Sequence, residues 1–536
     1  MKPTSTTQQY VKATAVSVAG ILAATGLAAC GSPSGAGKKD AREVSGGTFV
    51  STVSADPGSL DPMTGVSLAA RAMVANAYES LVHVTPKGDF KPWLATEWTV
   101  SATEISYTLH EGITCSDGTE FTARTAANNI NYQATPANGT FYYGSQINKG
   151  IHATADGNTL TITSRTNDPF LLANTGTVEM VCQKGVDRPA GLKDTTNGTG
   201  LFALTSSTAG STYTYTKRDD YDWGPNGVTS ATKGLPDKLE IRVVTDESTA
   251  ANLLLSGDIN AAVITGSDRK RLDATGLATV GARNPVGEML FNERSDRPTS
   301  DPLVRKALVL ALNRDEIGDV LSNGAARKST SLVVKSPFLC VAGGPKWTLP
   351  ATDPGKAAAL LDRAGWKPGA GGKRYKDGKP LTVKFIYDAA MSTQAPAAEL
   401  VQQAWDKLGI TTRLAANDAN AWSEQLFQTF DWDTGFVQIA PANPVTVAGF
   451  FAGATPDRGG NNFMFVDNPQ YEALRKQASA APDSDAACAL YQRAEAELVN
   501  RTDVFPLADN ELPTYLSGAR AEQTTYLVPT TIRMLG

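Results

Sequence analysis

Five cysteines and three histidines are the residues best suited to chemistry in this chain of 536 residues, and their spacing withholds most of it. A metal such as zinc needs clustered thiolates and imidazoles. No two cysteines form a CxxC pair, and His83, His110 and His152 stand apart from one another, so no metal site is expected. The acidic groups Asp219, Asp220 and Asp222, and the pair Asp431 and Asp433, have the residue types for general acid and base work. They read better as solvated loops and strand ends. Gly198-Thr-Gly-Leu-Phe-Ala203 fits the GxGxxA form of a dinucleotide fingerprint. That fingerprint needs a buried strand before it and a helix after it. Here polar Lys193 to Asn197 precede it and Leu204-Thr-Ser-Ser follows, which makes the segment a turn entering a strand. The chain has no GxSxG, no GxxxxGKS/T and no HExxH. Its chemistry favours a binder over an enzyme, and no cofactor is called for.

Cys30 stands apart from the other thiols. An apolar run from about Ala13 to Ala29, preceded by Lys2 and Lys12, ends in Leu27-Ala28-Ala29-Cys30. The run is near the short end of what crosses a bilayer, and it closes in small residues that a signal peptidase accepts. Residues 1–29 therefore read as a secretory signal, and Cys30 resembles a lipobox cysteine, the site of a diacylglyceryl thioether. Two or more acyl chains hold a protein stably where one holds it only marginally. A lipid on Cys30 would keep the mature protein at a membrane surface. Ordinary cleavage behind an Ala-x-Ala-like site is the alternative. Residues 30–46, rich in Gly, Ser and Lys, would then form a flexible tether.

Cys115, Cys182, Cys340 and Cys488 remain, an even number in an oxidising compartment. One or two disulfides are possible, and spacing does not give their connectivity. A net charge of −5 with scattered basic residues argues against nucleic acid, which needs a concentrated basic face.

Strand-like segments dominate the first half: 48–53, 105–110, 159–164, 213–217 and 239–244, all β-branched or alternating. Asp117-Gly118, Asp156-Gly157 and Asn197-Gly198 mark turns between them. One helix starts near Thr122. The second half predicts helices at 303–312, after Asp301-Pro302, and from Pro354 to Ala364. Two more are expected at 397–408, stopped by Gly409, and from Ser484. Strands at 381–387 and near 434–439 alternate with them, as in an α/β lobe. Two lobes of different texture would leave a cleft between them, where small-molecule sites often lie.

A longer set of residues narrows this. Tyr78-Glu-Ser-Leu81, Gly88-Asp-Phe-Lys-Pro-Trp-Leu-Ala95, Glu97-Trp98, Ile105-Ser-Tyr-Thr-Leu-His110, Glu111-Gly-Ile-Thr-Cys-Ser-Asp-Gly-Thr119 and Phe121-Thr122-Ala123 follow in order. This stretch resembles the extracytoplasmic solute-binding proteins of family 5, the binding components of peptide and nickel importers. Ser59-Leu-Asp-Pro62, Gly198-Thr-Gly200, Leu255-Ser-Gly-Asp258, Asn292, Val304-Arg-Lys-Ala307, Ala311-Leu-Asn-Arg314, Lys356 to Gly365 and Phe505-Pro-Leu507 extend the likeness along the mature chain.

The resemblance implies an α/β, two-lobed periplasmic-binding-protein fold of type II, in its large form. Lobe I would hold 47–288 and 506–536, with an inserted subdomain at about 79–233, and lobe II would hold 289–505. The chain would cross between lobes near Phe291-Asn292 and near Val504 to Leu507. It also implies a monomer that captures peptides or peptide-like solutes outside the cell, closes over them, and delivers them to a membrane permease driven by an ATPase. A ligand sensor without transport and an exported hydrolase stay open as alternatives.

By the same resemblance, a ligand backbone would lie along Val66, Ser67 and Leu68, and Tyr142, Tyr143 and Trp422 would wall the cleft. Asn292 reads equally as a ligand contact or as a strand-capping side chain. The segment Phe430 to Pro444 departs from the family pattern. Val437 stands at the family's Trp, Ala440 at its peptide-amine-binding Asp, and Asn443-Pro444 at its Asp-Pro. A buried ammonium without a counter-charge is unfavourable by several kcal/mol. Either another acid supplies that charge, or the ligand is not a plain peptide. A strand from Phe436 to Ala440 is expected to line the cleft, with Gln438 free to hydrogen-bond.

Overall fold

The leading sheet grows from a run whose β-branched residues favour extended backbone, Thr48–Val53. In the computed structural model, which describes residues 42–536 except Val66, Phe141, Ser145, Ala390 and Ala440, and all but the side chains of 419, 420 and 423, this strand pairs in parallel with Lys238–Val243 and Ala261–Val263. The expectations for the leader, Cys30 and the tether up to residue 41, and those for Val66 and Ala440, lie outside the described residues.

A seven-stranded sheet results. Its order is Phe202–Thr208, Thr212–Lys217, Lys238–Val243, Thr48–Val53, Ala261–Val263, Asp509–Leu516 and Ala278–Pro285. The GxGxxA stretch enters the first of these strands, so it is a turn, as its flanks required. Gly200 is needed there for a close approach, since a Cβ on it would lie 2.7 Å from the Ala77 carbonyl oxygen.

A four-stranded antiparallel sheet of Ala95–Val100, Glu104–Leu109, Thr159–Ser164 and Ile151–Asp156 packs under the helix Ala123–Gln133. The alternation that marked these strands turns Ile105, Tyr107, Leu160 and Ile162 wholly inward, where they meet Ala126 and Ile130. Gly157, at φ +55°, makes the tight connection between the last two strands. Cys115 and Cys182 are joined in a disulfide beside this sheet, and a second disulfide joins Cys340 to Cys488.

The other large sheet is five-stranded, ordered Thr411–Asn417, Thr382–Asp388, Thr434–Phe436, Glu288–Phe291 and Val504–Pro506. Its helices begin where side-chain caps satisfy their first amides. Asp301 accepts from Leu303 N at 2.8 Å, with Pro302 in the first turn, and the helix ends at Leu310. Asp353 accepts from Lys356 N at 2.8 Å to start Pro354–Arg363. The helix Gln394–Asp406 buries Trp405 completely, and that indole donates to Leu308 O at 2.9 Å.

One strand is shorter than its sequence suggested. It ends at Phe436, because the Ile439 N–H is taken by the Glu288 carboxylate at 2.7 Å instead of a ladder, and Pro441 and Pro444 follow.

Candidate functional site

Two adjacent strand pairs carry the chain between the large sheets. Ala278–Pro285 in the first sheet leads through Val286 and Gly287 into Glu288–Phe291 in the second. Val504–Pro506 leads back through Leu507 and Ala508 to Asp509–Leu516. Antiparallel bonds run across the crossing: Val286 N and Gly287 N donate to Ala508 O at 3.0 and 3.2 Å, and Leu507 N donates to Gly287 O at 3.0 Å. Two adjacent connections of few residues are what a hinge needs, because small φ/ψ changes in both can rotate one lobe against the other.

Buried acids flank this crossing. Glu288 is sealed in, and burial pushes its carboxyl well above the usual carboxylate range. Burial also pushes Asp509 up to about 6, against the pull of Arg283. Near neutrality Glu288 is thus protonated, while Asp509 remains largely ionised beside Arg283.

A second line of contact joins the lobes. Asn167, just beyond the four-stranded sheet, donates from Nδ2 to Ser479 O at 2.9 Å and to Ala481 O at 2.8 Å. Phe170 lies 6.0 Å from the Tyr491 ring, in a cluster with Ala173, Ala448, Ala478, Ala481 and Ala487. Asn443 Nδ2 donates to Asn174 Oδ1 at 3.4 Å. These contacts and the crossing strands are where the part built on the first large sheet meets the part built on the second.

On the lobe I side, Ser67 caps the helix Leu68–Val74 by accepting from Ala70 N at 3.1 Å, and Leu68 is 68% exposed. Arg71, one turn on, donates to Pro62 O at 3.0 Å and to Tyr142 Oη at 3.1 Å, and pairs with Glu179. Tyr142 is buried and Tyr143 half-buried. Tyr142 is therefore held by the Arg71 guanidinium, one turn along the helix that Ser67 caps. Sequence reasoning missed this residue, because a lone arginine in a helix carried no signal. A cavity of about 100 Å³, lined by Ser51, Val53, Asn76, Gln523 and Tyr526, lies wholly within lobe I.

On the lobe II side, Trp422 is half-buried on the helix Ala419–Glu424. Other candidates are drawn inward. Phe436 is 1% exposed and stands edge-on to Phe385 at 4.9 Å, and Val437 packs in a neighbouring core with Leu332 and Trp347. Gln438 is not free: its Nε2 donates to Val286 O at 3.3 Å, tying this loop to the crossing strands. Asn292 is fully buried and donates to Phe430 O at 3.1 Å and Trp432 O at 2.9 Å, which is the strand-capping role. Shortening of the 434–436 strand explains why Phe436 and Val437 serve the core instead of a wall.

Comparison with known proteins agrees with this architecture. The profile of bacterial extracellular solute-binding proteins, family 5 (middle region), matches residues 89–461. The chain is 24% identical over 403 residues to Protein XP55 of Streptomyces lividans, covering 74% of this chain and 71% of that protein. It is 26% identical over 373 residues to the glutathione-binding protein GsiB of Escherichia coli O157:H7, covering 67% of each. Among solved structures, NikA from Brucella suis in complex with Fe(III)-EDTA has a TM-score of 0.77 at 21% identity, over 91% of this chain and 100% of that one. A substrate-binding protein from Microbacterium hydrocarbonoxydans, complexed with 4-hydroxybenzoate hydrazide, has a TM-score of 0.69 at 24% identity, over 91% and 99%. With two sheets joined by paired crossing strands and the profile spanning most of its length, the chain belongs to the bacterial extracellular solute-binding proteins, family 5.

Proposed function

We propose that this protein is the solute-binding component of an ATP-driven importer, held outside the cell by a lipid on Cys30, and that it captures peptides or peptide-like solutes as a monomer and passes them to a membrane permease. The paired crossing at 286–287 and 507–508 carries this reading, because it gives two lobes a common hinge beside a site that both can close. The name of GsiB, a glutathione-binding relative, supports a peptide-like guest. Ser67, Leu68, Tyr142, Tyr143 and Trp422 are the proposed contacts, and Val66 and Ala440 are proposed with them. No helix among the described residues is long and apolar enough to cross a membrane.

The reading is tested by incubating the purified protein with a peptide library while small-angle scattering follows its dimensions. A binder compacts with some library members and returns them intact on unfolding. Cleaved peptides would point to a hydrolase, and no compaction with any solute would end the hinge account.

A further inference from the structure

We propose that Lys335 is the anchoring point for an anionic group on the solute, so that the protein selects guests presenting a carboxylate on this side of the cleft. The inference rests on the solute-binding reading above and names the chemistry of its guest.

Lys335 is the single charged residue between Ser329 and Pro345, and the facing stretch from Thr434 to Pro456 contains no charged residue at all. The two segments are locked together: Val334 N and Lys335 N both donate to Pro441 O, at 3.1 and 3.2 Å, and Leu339 N donates to Ala442 O at 3.4 Å. Two residues later the same loop meets lobe I, where a Cβ placed on Gly88 would lie 2.6 Å from Pro337 O. Lys335 therefore sits on a lobe II loop at the boundary between lobes.

Its ammonium makes no ion pair or hydrogen bond among the described residues. The side chain is reached by solvent, yet the protein around it crowds it enough to pull the ammonium below its ordinary value. Three buried carboxylates flank these loops, and Asp509 faces Arg283 at 3.9 Å. Glu288 accepts from Ile439 N, and Glu495 accepts from Ser331 Oγ, Leu332 N and Trp347 Nε1.

A cation held in such a place loses hydration as the lobes approach, and without an anion that loss opposes closure. A guest carboxylate restores the balance with a charge-assisted hydrogen bond, and closure becomes conditional on it. A free ammonium at the same spot finds no carboxylate in either loop.

Three equimolar pools of synthetic tripeptides test this by native mass spectrometry: unmodified, N-acetylated with a free carboxylate, and C-terminally amidated with a free amine. Wild-type protein is expected to retain the N-acetylated pool at least tenfold better than the amidated pool. Lys335→Met should lose that retention at least tenfold with an unchanged melting temperature, since the side chain supports no internal contact. Equal retention of the amidated pool, or full retention of the N-acetylated pool by Lys335→Met, overturns the assignment. A wild-type protein that retains none of the three pools overturns the peptide-like reading itself, and the inference falls with it.

Discussion

Replacing Asn167 with alanine should open the protein without unfolding it. Its amide nitrogen supplies two hydrogen bonds across the lobes, to Ser479 O and Ala481 O, at 2.9 and 2.8 Å. A typical intramolecular hydrogen bond contributes a net ~0.5–1.5 kcal/mol, so the pair is worth about 1–3 kcal/mol toward closure. The first bond is solvent-exposed, which places the effect toward the lower end. One kcal/mol already changes the ratio of closed to open protein roughly fivefold, and apparent affinity falls with the fraction that can bind. Small-angle scattering of Asn167→Ala should give a larger radius of gyration than wild type, and calorimetry with a tripeptide that the wild type retains should give a Kd raised about fivefold or more. The thermal midpoint should stay put, because no hydrogen bond from this side chain serves its own lobe. Unchanged dimensions and unchanged affinity would refute the idea that these contacts help hold the lobes together.

Other expectations follow from buried groups. Arg305 is wholly buried, paired with Asp503 at 2.8 Å and Glu293 at 3.1 Å, and donates to Thr502 O just before the returning hinge strand. Arg305→Met strands both acids, and chemical denaturation should show a loss of about 3–5 kcal/mol. Glu79 accepts from Tyr221, Trp223 and Thr199, and burial pushes its carboxyl up to about 7. A raised folded-state pKa means the native state holds the proton more tightly, so stability should fall as pH rises from about 4.5 to about 7 and then level off. In Glu79→Gln that contribution should vanish from a pH series of melting curves. At Gly200, a Cβ would strike Ala77 backbone rather than a movable side chain, so Gly200→Ala should cost about 1–3 kcal/mol by denaturation. Reduction of Cys340–Cys488, which closes a long loop spanning 148 residues, should lower stability by roughly 2–4 kcal/mol.

The fold was legible where local chemistry and tertiary packing agree. Asp301-Pro302 and Asp353-Pro354 start helices because their carboxylates cap amides within three residues, a contact the sequence itself contains. The alternation in 105–109 and 159–164 survives because each strand buries one face. The motif run from Tyr78 to Ala123 marked the family, and Glu79 within it proves to be the acceptor for three side chains more than 100 residues away. The site was less legible. Gln438 and Phe436 were expected at the cleft, but a carboxylate from another strand, Glu288, captures the Ile439 amide and turns this loop toward the hinge. Arg71 and Lys335 were missed for a similar reason. A single cation acquires meaning only from what surrounds it in space, Tyr142 and Glu179 in one case and an acid-free pair of loops in the other.

The most direct test of the account is native mass spectrometry of the protein purified from its own host, before and after unfolding. One small solute per chain, released with the mass it had before capture, is the predicted result. A chain that carries and accepts no solute, or one that returns its guest chemically altered, would contradict it.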